Sequence, residues 1–327
     1  LGDVYKRQNK EFRAAVGLSR EWESREAGKE VIADLIKKMK NEKPDLVLLF
    51  ATIHYKKHGG FQALLDAVDE MLPKNTKVIG GTVAAFINPQ GCYTRGVTAL
   101  GISYSNMDIA VGIGRNSRRD PKNAARDCAK QIREKLDQSK YPNKFMIWLP
   151  SGITTPRIPG FPPNLRVIRS KYLSKLLNIG SKLSVSILQK GPGRELEIIE
   201  ELSKNLGDYT IIGGSTVDDS KGYENYIFYG KDVLENSVLV LGIRSDLTAS
   251  LESTLGLKIK GKFVVNKVSG DHLTMEEING KPAIQGMLEF LKWPEEYLDD
   301  RIHRKTFFTP IAYEKDGVIF TAVMVFF

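Results

Sequence analysis

One short pattern occurs twice in this chain, and few folds accommodate the repetition. Lys77-Val78-Ile79-Gly80-Gly81-Thr82 returns as Thr210-Ile211-Ile212-Gly213-Gly214-Ser215. Each copy opens on a β-branched run, which suits a strand covered on both faces, and then places two glycines before a small alcohol. An amphipathic helical pattern precedes both copies, and Leu-Gly-Ile follows both, at 100–102 and 241–243. The reading is one ancestral unit used twice, with a functional site near the paired Gly-Gly turns.

The chain has 327 residues, 42% of them hydrophobic, enough for sizeable cores. Its two cysteines, Cys92 and Cys128, make no disulfide framework and have no neighbours at metal-ligand spacing, which fits a reducing, cytoplasmic setting. No apolar run approaches the roughly 20 residues that span a bilayer, so membrane insertion is not expected. The net charge of +9 raises nucleic acid as a partner, but the placement of the basic residues argues against it. Lys37, Lys38 and Lys40 end a helix, Arg115, Arg118 and Arg119 share a loop, and Arg301, Arg304 and Lys305 cluster late. None interleaves aromatics as a stacking platform would, so all are read as solvated surface.

Residues 1–8 fit no periodicity and are set aside as an assembly scar. Phe12 to Leu18 reads as a strand, Gly28 to Lys40 as a helix with Val31, Ile32, Leu35, Ile36 and Met39 on one face, and Asp45 to Thr52 as a buried strand. A helix over 61–72 then leads to the first Gly-Gly strand, in β-α-β order. Arg95 to Tyr104 and Met107 to Gly114 read as a hairpin around Ser105-Asn106, and Asp120-Pro121 opens a helix to Leu136 that links the halves. The second half repeats strand (Lys144 to Leu149), helix (Arg194 to Leu206) and Gly-Gly strand, interrupted by the proline-rich 153–192. Its passage from Gly213 to Leu241 is longer than that from Gly80 to Leu100, and the extra length, with Tyr223, Tyr226, Phe228 and Tyr229, reads as an added hairpin. Strands are then expected at Asp246 to Ser253, Lys262 to Val268, His272 to Ile278, Phe307 to Tyr313 and Gly317 to Phe327, with one helix from Pro282 to Leu291. The last strand stops on Val325-Phe326-Phe327, so the C-terminal part reads as truncated. The expected class is α/β: duplicated β-α-β units with Gly-Gly turns and appended antiparallel hairpins, followed by a strand-rich C-terminal part.

This ordered set, with Ile211-Ile212-Gly213-Gly214-Ser215-Thr216-Val217-Asp218-Asp219 in the second copy, resembles the FIST family (F-box and intracellular signal transduction proteins). Val264-Val265-Asn266-Lys267-Val268-Ser269-Gly270, leading to Glu277-Ile278-Asn279-Gly280-Lys281-Pro282-Ala283, resembles the start of that family's C-terminal domain. The likeness covers about residues 11–327. It implies an N-terminal FIST region over 9–240, with halves of about 9–143 and 144–240, and a partial C-terminal region over 241–327. It also implies a sensory module for small molecules such as amino acids, with no established reaction, no cofactor, and a separate signalling protein as partner. The chain departs from the family in its long 153–192 segment and its short C-terminal region.

Two freed backbone N–H groups at each Gly-Gly turn can face an anion, with Thr82 or Ser215 adding a hydroxyl donor, so Gly80, Gly81, Gly213 and Gly214 form a candidate cradle for a ligand carboxylate. Thr216 lies in the same loop. Asp218 and Asp219 are candidates for a ligand ammonium group, and Ala84-Ala85-Phe86 offers no acid at the corresponding place, which favours the second copy. Arg95 is a candidate carboxylate clamp. The alternatives are a hydrolytic or acyl-transfer enzyme using the turns as an oxyanion cradle with His54 as base, or a haem or metal sensor through His54 and His58. Gly-x-Ser-x-Gly, His-Glu-x-x-His and P-loop sequences are absent.

Overall fold

The computed structural model describes residues 11–155, 172, 187–191, 193–219, 221–251, 256–269, 275–298, 305–306, 309–315 and 318–322. The chain divides into two compact units, one of Leu1–Pro156 with Ser181–Leu251 and one of Arg157–Gly180 with Glu252–Phe327.

The first unit contains the same topology twice. The first copy runs β1 (Arg13–Ser19), α1 (Ser24–Lys38), β2 (Leu46–Thr52), α2 (Gly60–Met71), β3 (Lys77–Val83), a small hairpin of β4 (Phe86–Asn88) and β5 (Gly91–Tyr93), and β6 (Val97–Ser103). The second runs β7 (Met107–Arg115), α3 (Pro121–Leu136), β8 (Asn143–Pro150), α4 (Glu195–Leu206), β9 (Thr210–Gly213), a hairpin of β10 (Ile227–Tyr229) and β11 (Asp232–Leu234), and β12 (Ser237–Ser245). Register carries the duplication residue by residue. Leu48 of β2 lies opposite Ile79 and Leu100, and Ile147 of β8 lies opposite Ile212 and Leu241. Val16 and Val111 likewise oppose Leu100 and Leu241.

Alternation along these strands explains the layering. Leu46, Leu48, Ile79, Val111, Leu239, Leu241 and Ile243 build one apolar layer shared by the two sheets. The opposite face of the first sheet packs on α1 and α2 through Val31, Leu35, Leu64 and Val68, and that of the second packs on α3 and α4 through Ile132 and Leu202. Both sheets are thus covered on both faces, which is why their central strands read as nearly continuous apolar runs. The repeated Leu-Gly-Ile follows from the same geometry. Its leucine and isoleucine enter the inter-sheet layer, while its glycine faces a helix. A Cβ on Gly101 would lie 2.9 Å from Leu35 Cδ2, and one on Gly242 would lie 2.8 Å from Ile132 Cγ2.

Three expectations are corrected. β6 and β7 form no hairpin: β6 sits between β1 and β2 in a sheet ordered β1-β6-β2-β3-β10-β11, and β7 pairs with β12 in a sheet ordered β7-β12-β8-β9. Ser105-Asn106 carries the chain from one sheet to the other, so the second copy begins with β7, earlier than residue 144, and α3 is the counterpart of α1 and not a link. The first Gly-Gly is no turn either. Gly80 and Gly81 lie within β3, between β2 and β10. A Cβ on Gly80 would meet the Leu49 carbonyl oxygen at 1.7 Å, and one on Gly81 would meet Thr216 Cγ2 at 2.4 Å, so the glycines serve close backbone approach. Gly213, by contrast, ends β9 with φ 150°, and Gly214 is exposed to open space. The third correction concerns Asp246 to Ser253. No strand forms over 246–251, because β12 ends at Ser245. The hairpin expected around Tyr226 to Tyr229 is present as β10–β11, and it extends the sheet of the other copy.

The second unit contains β13 (Val265–Val268), β14 (Met275–Ile278), β15 (Lys281–Pro282), α5 (Ala283–Leu291), β16 (Ile311–Lys315) and β17 (Val318–Ala322), with Ile278 and Met287 at its core. Asn279 and Gly280, at φ 52° and 73°, turn β14 into β15, the residue pair that such a tight hairpin prefers. The expected strand starts at His272 and Phe307, the end at Phe327, residues 1–8 and most of 153–192 lie outside the described residues.

The two glycine pairs give a direct contrast. Gly80→Ala forces the β2 and β3 backbones apart and costs about 2–3 kcal/mol, whereas Gly214→Ala stays within about 0.5 kcal/mol. Urea denaturation of both variants checks this, and equal effects would contradict the assignment.

Candidate functional site

Both copies close the carboxyl end of their central strand with the same hydroxyl device. The Thr52 N–H donates to Gly96 O at 3.0 Å, and the Gly96 N–H returns to Thr52 Oγ1 at 3.0 Å. In the second copy the Ser151 N–H donates to Ser237 O at 2.9 Å, and the Ser237 N–H returns to Ser151 Oγ at 3.1 Å. The sequence conceals this equivalence, since Thr stands for Ser on one side and Gly for Ser on the other.

The residues that follow the two Gly-Gly pairs meet at a buried junction. Thr82 is fully buried, its N–H donates to Tyr226 O at 2.9 Å, and its hydroxyl oxygen accepts from the Tyr226 N–H at 3.0 Å. The Val217 N–H donates to Thr82 O at 3.0 Å. Thr216, also buried, donates its N–H to Pro150 O at 2.9 Å, and its hydroxyl bonds Asn225 Oδ1 at 3.1 Å. Gly80, Gly81 and Thr82 are therefore used by the fold, and the cradle expected at the first copy does not form.

The acidic pair is corrected as well. Asp218 is buried, and its carboxylate accepts the Lys221 and Gly222 N–H groups on Oδ1 at 3.0 and 2.8 Å and the Tyr223 N–H on Oδ2 at 2.8 Å. It organises the loop from within, so the expected ammonium contact fails. Asp219 is exposed and pairs with Lys221. Ser215 donates to Glu195 Oε1 at 2.6 Å, which places a half-buried carboxylate beside the exposed Gly213-Gly214.

The residue that sequence reasoning missed is Arg118. Grouped with Arg115 and Arg119, it reads as solvated loop, yet it is only 3% exposed. It follows β7, and its guanidinium donates to Gly152 O through Nη2 and, at 3.5 Å, to Asn236 Oδ1 through Nη1. Its backbone is fixed from both sides: its N–H donates to Asn236 Oδ1 at 3.0 Å, and its carbonyl accepts from Arg194 Nη1 at 3.0 Å. Asn225 holds the carbonyls of Gly152 and Ile153 at 3.1 and 3.0 Å. Within this frame the Arg118 Nε–H and the buried Thr154 hydroxyl have no partner among the described residues. Burial acts against the arginine's charge, while the fields of Glu195 and Glu235 favour it. No carboxylate among the described residues bonds to it. The signal available in the sequence was position alone, the loop between a strand and the Asp120-capped helix.

Arg95 and the histidines lie in the first copy, away from these contacts. Arg95 stacks 4.1 Å over the Trp22 ring and donates to Arg20 O at 2.9 Å. His54 Nδ1 lies 2.8 Å from Thr52 Oγ1, its buried Nε2 has no partner among the described residues, and its ring centroid is 5.9 Å from those of Trp22 and His58. Burial first, then Arg95 and His58, push the His54 pKa down to about 4. Thr52, whose hydroxyl bonds His54, is itself buried in the Gly96 device. Among the described residues no three His, Cys, Asp or Glu side chains are arranged to hold a metal ion.

Two outcomes follow from these placements. Asp218→Ala strands three backbone N–H groups and loses about 1–3 kcal/mol of stability, whereas Asp219→Ala stays within about 0.5 kcal/mol; chemical denaturation separates them. For His54, the unfolded state takes up its proton near pH 6.5 and the folded state only near 4. Between those values the unfolded chain binds more protons, so stability rises with pH across that window and levels above it. Against His54→Gln, the wild type should gain stability between pH 4 and 6.5, and a constant difference would contradict the placement.

No curated protein matches this chain. Among solved structures, one described as a "cyanuic acid hydrolase from A. caulinodans" aligns with 8% identity and a TM-score of 0.32, covering 72% of each chain, a likeness too loose to carry any inference. The model of the FIST N domain matches residues 45–281, from the first strand of the β2-α2-β3 unit through the whole second copy. On that match, over well more than half of its length, the chain belongs to the FIST family.

Proposed function

We infer that this protein is a sensory small-ligand-binding protein of intracellular signal transduction, and that its ligand is an amino acid or a similar small anionic or zwitterionic metabolite. One observation carries the reading: among the described residues, buried Arg118 has no carboxylate bonded to it and its Nε–H has no partner. A buried cation without an anion is costly, so a site that keeps one is suited to an anionic guest. The ligand carboxylate lies against Arg118 Nε with the Thr154 hydroxyl as second contact. Glu195, at the Ser215 hydroxyl, takes the ammonium role first expected of Asp218. Gly213 and Gly214 stay exposed beside it. The output passes to a separate signalling protein, and the setting is cytoplasmic.

Thermal-shift and calorimetric screening with amino acids and related carboxylates tests this. A ligand at one hundred times its dissociation constant stabilises the chain by about 2.7 kcal/mol. Arg118→Met should abolish that gain and Arg118→Lys should keep part of it, while Asp219→Ala leaves it intact. A hit bound equally well by folded Arg118→Met contradicts the site.

A further inference from the structure

We propose, on the ligand reading at Arg118, that Asn236 is the residue that makes this site selective for an anion. It is a neutral side chain standing where a carboxylate would pair with the guanidinium, so Arg118 is oriented while its charge is left for the ligand. Asn236 lies between β11 and β12 with φ 46°, a left-handed conformation that asparagine and aspartate adopt more readily than most side chains. From there its Oδ1 collects donors from one loop: the Arg118 N–H at 3.0 Å, Arg118 Nη1 at 3.5 Å and the Ser117 hydroxyl at 3.5 Å. A backbone N–H and a guanidinium can only donate, so the atom they share is the amide oxygen. The Asn236 carbonyl accepts the Ser117 N–H at 3.1 Å, and its Nδ2 donates to Gln189 Oε1. One residue thus holds both the backbone and the side chain of Arg118.

The duplication singles out the same position. Asn236 directly precedes Ser237 of the second hydroxyl device, as Arg95 directly precedes Gly96 of the first. Both side chains reach the loop after the first strand of their copy, Arg95 to the Arg20 carbonyl and Asn236 to Ser117 and Arg118. In the first copy the position holds a cation over a neutral ring, and in the second a neutral amide beside a cation. An amide oxygen carries only a partial charge, so it fixes the guanidinium without cancelling it. An aspartate there would have nearly the same shape and backbone tolerance, but its carboxylate would form a charge-assisted bond to Arg118 and compete with a ligand carboxylate. The acids whose fields favour the arginine's charge, Glu195 and Glu235, act through space, since neither bonds to it among the described residues. Asn236 is therefore a positioning residue whose neutrality the site depends on.

The test titrates the whole chain and its Asn236→Asp and Asn236→Gly variants with sodium acetate at constant ionic strength, reading the Arg118 Nε–Hε resonance. Acetate should shift it in the wild type. In Asn236→Asp the resonance should start displaced, and acetate should bind about tenfold more weakly, the weight of one hydrogen bond to a charged group. Asn236→Gly keeps the backbone angle but releases the guanidinium, so acetate should again bind more weakly while the Nε–H exchanges with water faster than in the wild type. Binding lost with the arginine tightened in one variant and loosened in the other is a pattern that a purely structural role does not give. Without acetate, Asn236→Asp should raise the folding equilibrium constant about tenfold, and the gain should vanish in an Arg118→Met background. An Arg118 resonance unmoved by acetate in the wild type overturns the ligand reading itself. Equal movement in the wild type and Asn236→Asp, or an Asn236→Asp chain no more stable than the wild type, overturns the role of Asn236 alone.

Discussion

The apolar layer between the two sheets sets most of what else the molecule does. Leu48, Ile79, Leu239 and Leu241 each gain about 1.5–3 kcal/mol from burial, about twice the roughly 0.5–1.5 kcal/mol net of an ordinary hydrogen bond. Packing of the two inner faces therefore decides register, and the polar contacts adapt to it. Once Leu100 and Leu241 point inward, the residue after each must face a helix, and only glycine allows Leu35 and Ile132 to come as close as they do. Once the strands are fixed, their carboxyl ends fall at the hydroxyl devices of Thr52 and Ser151, and these set the loops that hold Arg95 in one copy and Arg118 in the other.

Symmetric architecture carries asymmetric chemistry. The first copy gathers Trp22, His54, His58 and Arg95 into an aromatic and basic cluster whose guanidinium is already stacked. The second gathers Arg118, Thr154, Asn225 and the Ser215–Glu195 pair, with the Arg118 Nε–H and the Thr154 hydroxyl left over among the described residues. The long passage between β9 and β12 explains part of this difference. Its β10–β11 hairpin leaves its own copy and seals the first sheet at Gly81 and Thr82, so that among the described residues β9 ends the strand order of the second.

The duplication, the buried strands and the helices at 24–38, 60–71, 121–136 and 195–206 were legible in the sequence, because double burial imposes apolar runs and helix packing imposes spacing. What stayed hidden is what depends on which strands become neighbours. Met107 to Gly114 looks like the partner of Arg95 to Tyr104 because the turn between them is short, and only the register shows that they enter different sheets. Gly80-Gly81 and Gly213-Gly214 are identical as text, yet one is locked between two strands and the other ends an edge. Asp218 and Arg118 exchanged expectations for the same reason. A carboxylate can be consumed by N–H groups three to five residues on, and a loop arginine can be buried by a strand brought in from elsewhere, as Asn236 and Gly152 do here.

The central claim is that Arg118 reads the anionic end of a small ligand, and its side-chain Nε–H is the atom to watch. In an NMR titration of the arginine Nε–Hε resonances with a carboxylate ligand identified by screening, the Arg118 signal should move in proportion to occupancy and slow its exchange with water, while the signal of the stacked Arg95 stays in place. Saturation of binding with the Arg118 resonance unmoved would contradict the account.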